Sequence, residues 1–159
     1  MSELPKLNLP VLPLRFRHVG DRVQVWDKLR RKYVALTPEE YVRQRFVAWL
    51  TAELHYPVPL MNNEISITLN GTRRRCDTLV FDRAGKPFMI VEYKSPDVKV
   101  TQDVFDQIVR YNMVLQARYL VVSNGMSHYC CRIDYQSGEY HFIPQIPDYV
   151  AAMLGPIDN

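Results

Sequence analysis

Two runs of alternating apolar and polar residues meet at an Asn-Gly pair, and this pattern restricts the fold more than any other part of the sequence. The runs cover residues 64–69 and 72–82, on either side of the pair at residues 70–71. Asn-Gly between alternating runs is the strongest short signal for a two-residue β-hairpin. A second turn near residues 82–87 leads into the mostly apolar run of residues 87–94. The sequence therefore predicts three consecutive antiparallel strands.

Helices are predicted on both sides of these strands. Thr37, Pro38 and Glu40 form a capping-box pattern, which predicts a helix that ends near residues 55–56. Thr101 is the expected N-cap of a second helix. The predicted apolar face of that second helix consists of Val104, Ile108, Tyr111 and Leu115.

Shorter elements complete the predicted chain. Alternation around residues 20–21 predicts an N-terminal hairpin, and residues 118–125 read as a buried strand with a turn after it. A further hairpin is expected to turn at residues 137–138, with a short helix near residues 148–154. Helices and strands alternate only in part, so we predict an α/β fold with a mixed sheet.

The chain is expected to form one domain with three parts. Residues 1–36 would be an N-terminal strand and hairpin extension, and residues 37–135 would be the core. Residues 136–159 would add a hairpin strand and a short helix. At 159 residues the chain is long enough for one domain and short for two.

Composition excludes several classes of protein. No run approaches the roughly 18 apolar residues of a membrane span, and the N-terminus lacks an apolar signal core, so we predict a cytoplasmic protein without a membrane partner. Cys76, Cys130 and Cys131 fit neither a zinc pattern nor a disulfide framework. Four of the 17 acidic residues and none of the 20 basic residues follow Arg132. Residues 1–132 therefore carry a charge of +7, the remaining residues carry −4, and the net charge is +3. A basic body of this kind is compatible with a polyanion partner.

The third strand of the meander ends in charged residues. Because side chains alternate along a strand, Glu92 and Lys94 point to the same face. In a symmetric hairpin centred on residues 84–85, opposed residues have numbers that sum to 169, which places Asp77 opposite Glu92. Their Cβ atoms would lie about 4.5–5.5 Å apart. A one-residue bulge would change this register.

Two opposed carboxylates repel each other, so stability alone does not favour the pair Asp77 and Glu92. A hard divalent cation, Mg²⁺ or Mn²⁺, would remove the repulsion, and the backbone carbonyl of Tyr93 could add an oxygen ligand. Lys94 could then stabilise negative charge on a phosphodiester or help to orient an attacking water. The alternative is an unrelated scaffold in which Glu92 and Lys94 form a surface ion pair.

The arrangement of these residues resembles a known nuclease superfamily. Asp77 and the Glu-Tyr-Lys sequence of residues 92–94 resemble the D…(D/E)xK motif of the PD-(D/E)xK nucleases, and Gln107 with Tyr111 matches their QxxxY motif. Over residues 36–135, the pattern LTPEEYVRQ…RRRCDTLVF…VEYKSP…QIVRYNMVL…LVVSNG resembles the N-terminal nuclease domain of type I restriction enzyme R (HsdR) subunits. The resemblance implies a restriction-endonuclease-like core with the order helix, three-strand antiparallel meander, helix and strand.

The resemblance also implies roles for single residues. Asp77 and Glu92 would be metal ligands, together with the Tyr93 carbonyl, and Lys94 would be the catalytic lysine. Cys76 stands where the superfamily's name-giving proline would be, a position that varies.

Three helical residues are given supporting roles by the same resemblance. Glu40 would be the acidic residue of the first helix, either as an additional metal ligand or as its orienter, although the capping box explains it equally well. Gln107 and Tyr111 lie one turn apart on the second helix and would contact the site or the DNA backbone. A core tyrosine is the alternative for Tyr111.

Two basic segments are candidate contacts to the DNA backbone, which position DNA without reading its sequence. Their members are Arg73, Arg74, Arg75, Lys28, Arg30, Arg31 and Lys32. A solvated strand edge explains the Lys28–Lys32 segment equally well. The combined prediction is a Mg²⁺-dependent deoxyribonuclease whose partners are DNA and restriction-modification or DNA-repair proteins. The alternative is a nuclease-fold module without turnover that binds nucleic acid for a partner protein.

Overall fold

The computed structural model describes residues 4–155, which form two β-sheets and three α-helices. The smaller sheet is antiparallel and consists of β1 (Phe16–Val19), β2 (Arg22–Asp27) and β3 (Lys32–Ala35). Gly20 has a φ of +64° and forms the predicted turn between β1 and β2.

The strand β3 was missed by the sequence analysis, which treated this segment only as a basic edge. Asp27 Oδ1 accepts the backbone N–H groups of Leu29 and Arg30 at 2.8 and 3.1 Å, and Arg31 adopts a φ of +56°. These contacts turn the chain sharply, so that Lys32 pairs with Asp27 and β3 follows β2.

The first helix, α1 (Pro38–Ala52), begins as predicted, with the Thr37 side chain as its N-cap. It ends earlier than predicted. His55 adopts a φ of +62°, and the Tyr56 N–H donates to the Leu50 carbonyl at 3.0 Å. A left-handed residue of this kind commonly ends a helix.

The larger sheet is mixed, as predicted. Its strands follow the order β4 (Met61–Leu69), β5 (Thr72–Phe81), β6 (Pro87–Tyr93), β7 (Tyr119–Ser123), β8 (His128–Ile133) and β9 (Tyr140–Ile143). All neighbouring strands are antiparallel except β6 and β7, which are parallel and connected through α2 (Gln102–Asn112). Asn70 and Gly71 have φ values of +52° and +77°, as a type I′ hairpin requires.

Helices cover both faces of the larger sheet. Phe46 of α1 and Val91 of β6 belong to one apolar cluster, whereas Phe105 of α2 and Ile90 of β6 belong to the other. The short helix α3 (Tyr149–Leu154) contributes to the α1 side. No helix within residues 4–155 has the length and apolar character that a membrane crossing needs.

The buried face of α2 differs from the predicted one. Its buried residues are Phe105, Val109 and Asn112, whereas Tyr111 is 45% exposed. Positions i, i+4 and i+7 fit helical spacing as well as the predicted set does, so periodicity alone could not separate the two faces. The Arg74 guanidinium lies 4.4 Å from the centroid of the Tyr111 ring, a contact that is available only at the surface.

His128 connects the N-terminal segment to β8 and should make stability depend on pH. Its Nε2 lies 2.7 Å from the Asn8 carbonyl, to which it must donate, and its Nδ1 lies 2.7 Å from Ser123 Oγ. Burial lowers the pKa of His128 below its ordinary value of 6.5, although the Asn8 hydrogen bond acts in the opposite direction. The folded state therefore favours the neutral ring, and the free energy of unfolding should fall as pH drops below 6.5.

We expect the wild-type protein to lose up to about 1.4 kcal/mol per pH unit below pH 6.5 relative to His128→Gln. Thermal melting of both proteins on either side of that pH measures the difference. His141→Gln changes an exposed histidine and serves as the control, which should follow the wild type. Equal pH dependence in the wild type and in His128→Gln would contradict this account of the ring.

Candidate active site

The register of β5 and β6 places Asp77 opposite Glu92. A bulge shifts the register between Val80 and Phe81, on the turn side, and leaves the pairing toward Asp77 undisturbed. One step beyond the last recorded pair, the same register brings Asp77 and Glu92 together, and the Tyr93 N–H donates to Asp77 Oδ2 at 2.9 Å. Three successive pairs have numbers that sum to 169: Thr78 with Val91, Leu79 with Ile90, and Val80 with Met89.

One carboxylate oxygen of Glu92 is buried without a partner. No residue within 4–155 donates a hydrogen bond to Glu92 Oε1. Removal from water, the negative charge of Asp77 and a hydrogen bond with the Asp77 carboxyl raise the pKa of Glu92 to about 9. The positive charges of Lys94 and Arg43 act in the opposite direction. The pair of carboxyl groups therefore requires a proton or a cation to offset its repulsion.

Lys94 and Glu39 lie at the same site. The Lys94 N–H donates to the Ser123 carbonyl at 2.9 Å, which fixes its backbone beside β7. The Lys94 ammonium acts to lower the pKa of both Glu92 and Glu39, so it lies near both carboxyl groups. Removal from water and the charge of Asp77 raise the pKa of Glu39 overall. Glu39, the second residue of α1, is therefore a further candidate for the site, one that the sequence analysis did not select.

Glu40, which the sequence analysis selected instead, is bound within an internal network. Its Oε1 accepts a hydrogen bond from Arg30 Nη2 at 2.6 Å, and its Oε2 accepts one from Gln44 Nε2 at 3.0 Å. Arg43 Nε lies 3.2 Å from the same Oε2. Arg43 Nη1 in turn donates to the Asp77 carbonyl at 3.2 Å. Glu40 therefore reaches the site only through Arg43.

Glu64 occupies an unusual backbone conformation beside the site. The paired residues on either side of it place Glu64 opposite Asp77, and its φ is +54° within β4. A non-glycine residue in this region costs about 1–3 kcal/mol, which the surrounding contacts must offset. The Glu64 carboxylate binds Arg43 and Arg75. Removal from water would raise the pKa of Glu64, but these hydrogen bonds and charges outweigh it and lower the pKa.

A chain of buried hydrogen bonds connects Tyr93 with the N-terminal sheet. The Tyr93 hydroxyl donates to Thr78 Oγ1 at 2.9 Å, and Thr78 Oγ1 donates to Asn63 Oδ1 at 2.5 Å. Asn63 Nδ2 then donates to Asp27 Oδ2 at 3.0 Å. All four residues are buried, where unbonded polar groups would cost free energy. These hydrogen bonds fix the side chain of Tyr93, the residue whose backbone N–H binds Asp77.

The donor atoms at the site suit a hard divalent cation. Within residues 4–155, no group of three or more His, Cys, Asp or Glu side chains converges into a metal cage. The carboxyl groups that meet there are those of Asp77 and Glu92. Mg²⁺ commonly binds through one or two carboxylates and leaves its other positions to water and substrate phosphate. The unpartnered Glu92 oxygen is the atom that such an ion would satisfy.

Comparison with known proteins places the chain in a family. The family described as the N terminus of the type I restriction enzyme R protein (HSDR_N) matches residues 38–147, which is more than half of the chain. The chain belongs to this family. The matched segment of this R-protein N-terminal domain begins with α1 and contains the whole larger sheet, but it leaves out β1 to β3.

A solved structure shares the fold of this R-protein N-terminal domain. It is a fragment described as an HsdR subunit of a type I restriction enzyme from Vibrio vulnificus YJ016. The two superpose with a TM-score of 0.50 and 21% sequence identity, over 70% of this chain and 24% of the other. At this identity the likeness shows a shared α/β fold alone. No curated protein matches the sequence.

Gln107 and Tyr111 lie on the exposed side of α2. Their spacing of four residues places them on one face of the helix, as predicted. Within residues 4–155, no hydrogen bond joins either side chain to Asp77, Glu92 or Lys94. Both side chains are exposed, and their contact with the site or with DNA stays a prediction.

The three consecutive arginines of β5 have different surroundings. Arg73 is exposed. Arg74 covers the Tyr111 ring, and its Nε donates to the Tyr111 carbonyl at 2.7 Å near the end of α2. Arg75 has a side chain that is 69% exposed, but its guanidinium binds Glu64. Only Arg73 presents a guanidinium without an intramolecular partner among the described residues.

The Lys28–Lys32 segment is used partly inside the protein. The Arg30 guanidinium binds two buried carboxylates, those of Asp27 and Glu40, and is therefore not available for a DNA contact. Lys28 Nζ contacts Thr51 of α1. The exposed members without a side-chain hydrogen bond in the described chain are Arg31 and Lys32.

Proposed function

We propose that this domain is a Mg²⁺-dependent deoxyribonuclease that hydrolyses phosphodiester bonds in DNA. The observation that carries the proposal is the opposed pair Asp77 and Glu92, with one buried Glu92 oxygen unpartnered and Lys94 beside it. Two facing carboxylates add nothing to the stability of a fold, whereas a cation between them turns the repulsion into attraction. Membership of the R-protein family supports a nuclease-related role.

Each residue of the site has a role in this proposal. Asp77, Glu92 and the Tyr93 carbonyl would hold Mg²⁺ or Mn²⁺, which when bound polarises the phosphodiester and lowers the pKa of bound water. The Tyr93 N–H orients Asp77 through its hydrogen bond, and Arg43 holds the Asp77 backbone. Lys94 would stabilise the negative charge that develops as water attacks phosphorus and the P–O bond breaks, or it would orient that water.

We assign the acidic position of the first helix to Glu39, because the charges of Asp77 and Lys94 both act on the pKa of its carboxyl group. Glu40 would act as an orienter through Arg43. Gln107 and Tyr111 would contact DNA from the exposed face of α2.

DNA is the proposed substrate, and restriction-modification or DNA-repair proteins are the proposed partners in the cytoplasm. Arg73, Arg31 and Lys32 are the proposed phosphate contacts from the two basic segments. The second candidate function is a module of the same fold that binds nucleic acid for a partner without turnover. A cleavage assay separates the two.

The assay should use linear, circular, single-stranded and branched DNA, with Mg²⁺, with Mn²⁺ and with chelator. We expect the wild type to cleave at least one of these substrates with either metal and none in chelator. Glu92→Gln, which keeps the side-chain shape, should be inactive throughout. DNA binding without any cleavage would favour the binding module, and cleavage that persists in chelator would contradict the proposed metal site.

A further inference from the structure

The outer face of the N-terminal sheet has an unusual composition. One face of β2 is buried, with Val25 and Asp27 inaccessible to solvent. On the opposite face, register pairs place Arg17 beside Gln24, Val19 beside Arg22 and Trp26 beside Tyr33. We call the outer surface the arginine–aromatic face, and it consists of Arg15, Arg17, Arg22, Trp26 and Tyr33.

Two of these arginines are held in place by aromatic rings. The Arg15 guanidinium lies 4.4 Å from the centroid of the Trp26 ring, and the Arg17 guanidinium lies 4.0 Å from that of Tyr33. The two rings meet edge to face at 5.2 Å, and Arg17 Nε donates to Gln24 Oε1 at 2.7 Å. The stacking orders the guanidinium groups and leaves most of their N–H donors directed at solvent.

The positive charge of this face is not neutralised. No salt bridge within residues 4–155 involves Arg15, Arg17 or Arg22, and all three are exposed. The arginines that do form ion pairs in this structure are Arg30, Arg43 and Arg75. Three arginines on one face are therefore without carboxylate partners among the described residues, and two of them, Arg15 and Arg17, are held by aromatic rings.

A recess extends the arginine–aromatic face toward α1. It has a volume of about 240 Å³ and is lined by Arg15, Trp26 and Lys28 on one side and by Gln44 and Ala48 of α1 on the other. Two cationic side chains therefore border a concave surface beside the helix whose first turn carries Glu39.

We propose that the arginine–aromatic face binds the phosphate backbone of nucleic acid. Ordered guanidinium groups match phosphate oxygens with paired N–H donors, and little side-chain entropy remains to be lost on binding. The choice of DNA as the ligand rests on the proposed function. The family match begins at residue 38, so this face belongs to a part of the chain outside the matched segment.

The test is the affinity of the full chain for a short labelled DNA duplex, measured by fluorescence anisotropy in chelator at several salt concentrations. The variant carries Arg15→Gln and Arg17→Gln, and the matched control is Arg83→Gln, an exposed arginine in the β5–β6 turn. We expect the double variant to lose about 10-fold or more in affinity and about 2 in its log–log salt slope. The control should keep the affinity and the salt slope of the wild type.

A second measurement follows Trp26 directly. In a Trp49→Phe background Trp26 is the remaining tryptophan of two, and its emission should change when the duplex binds because Arg15 covers its ring. Wild-type affinity and slope in the double variant, or unchanged Trp26 emission with DNA bound, would overturn the inference. Tighter binding of polyglutamate than of DNA would also overturn it and would point to an acidic protein partner.

Cleavage is measured separately on the same proteins. DNA binding through this face by a protein that cleaves no substrate would leave the inference standing and contradict the proposed nuclease. If the protein cleaves DNA but its affinity for DNA does not depend on Arg15 and Arg17, the inference is contradicted and the proposed nuclease stands.

Discussion

Replacing Lys94 by methionine is expected to reduce DNA cleavage by about 100- to 1,000-fold, while the fold and metal binding remain intact. The charge of Lys94 reaches the carboxyl groups of Glu92 and Glu39, so its removal takes away the ammonium nearest the proposed metal ligands. Methionine keeps the length and much of the packing of this half-buried side chain. Initial rates of cleavage and thermal melting measure the two effects.

Lys99→Met is the matched control for Lys94→Met. Lys99 is exposed and lies five residues further along the chain, so its variant should cleave at the wild-type rate. Lys94→Met should also retain the shift in melting temperature that metal gives the wild type. Wild-type rates in Lys94→Met would exclude the catalytic role of this lysine.

Asp27→Ala is expected to lower the free energy of unfolding by about 3 kcal/mol or more, because it leaves buried partners without their acceptor. Asp27 is fully buried and accepts hydrogen bonds from Asn63 and from the backbone of Leu29 and Arg30. Its loss also leaves the Arg30 guanidinium with Glu40 alone. A loss of this size should lower Tm by about 10 °C in a chain of this length.

Asp21→Ala, at the exposed turn of the first hairpin, is the control for the Asp27 variant and should change Tm little. Because the buried hydrogen bonds run from Asp27 through Asn63 and Thr78 to Tyr93, Asp27→Ala should also reduce cleavage at temperatures where it stays folded. An unchanged Tm in Asp27→Ala would mean that this network does not hold the N-terminal sheet on the core.

Local chemistry made the meander predictable. The turn at Asn70 and Gly71 needs two positive φ values, and apolar and polar residues alternate on both sides of it. Few structures other than a hairpin fit this pattern. The register of Asp77 was also predictable, although the bulge after Val80 shows why it was vulnerable. One extra residue on the other side of Val80 would have turned Asp77 away from Glu92.

The partners of Glu40 were not predictable from its place in the helix cap. Glu40 occupies the third helical position, which is the acidic position of a capping box. The sequence analysis therefore selected Glu40 as the acidic residue of the first helix. In the structure its partners include Arg30, which reaches it from the β2–β3 turn. Glu39 shares a helix face with Arg43, four residues on, but only the tertiary structure shows that Arg43 reaches Asp77.

Long-range ion pairs also explain why the basic segments were only partly predictable. Arg30 and Arg31 are adjacent and chemically identical, yet one binds buried carboxylates and the other is exposed. The left-handed φ of Arg31 turns the two side chains apart. Asp27 lies only three residues before Arg30, but Glu40 lies on α1, and no local pattern shows that this second carboxylate reaches Arg30.

We propose that Asp77 and Glu92 share a divalent cation. Thermal melting of wild type and Asp77→Asn, each in chelator and with millimolar Mg²⁺ or Mn²⁺, tests this. In chelator, Asp77→Asn should be as stable as wild type or slightly more stable, because Asp77 no longer raises the pKa of Glu92 and the free-energy cost of keeping Glu92 protonated falls. Metal at 100 times its Kd should stabilise wild type by about 2.7 kcal/mol, which corresponds to about 5–10 °C in Tm, and the variant should lose most of this response. If the two proteins melt alike and neither responds to metal, the Asp77–Glu92 site does not bind a cation and the proposed nuclease loses its chemical basis.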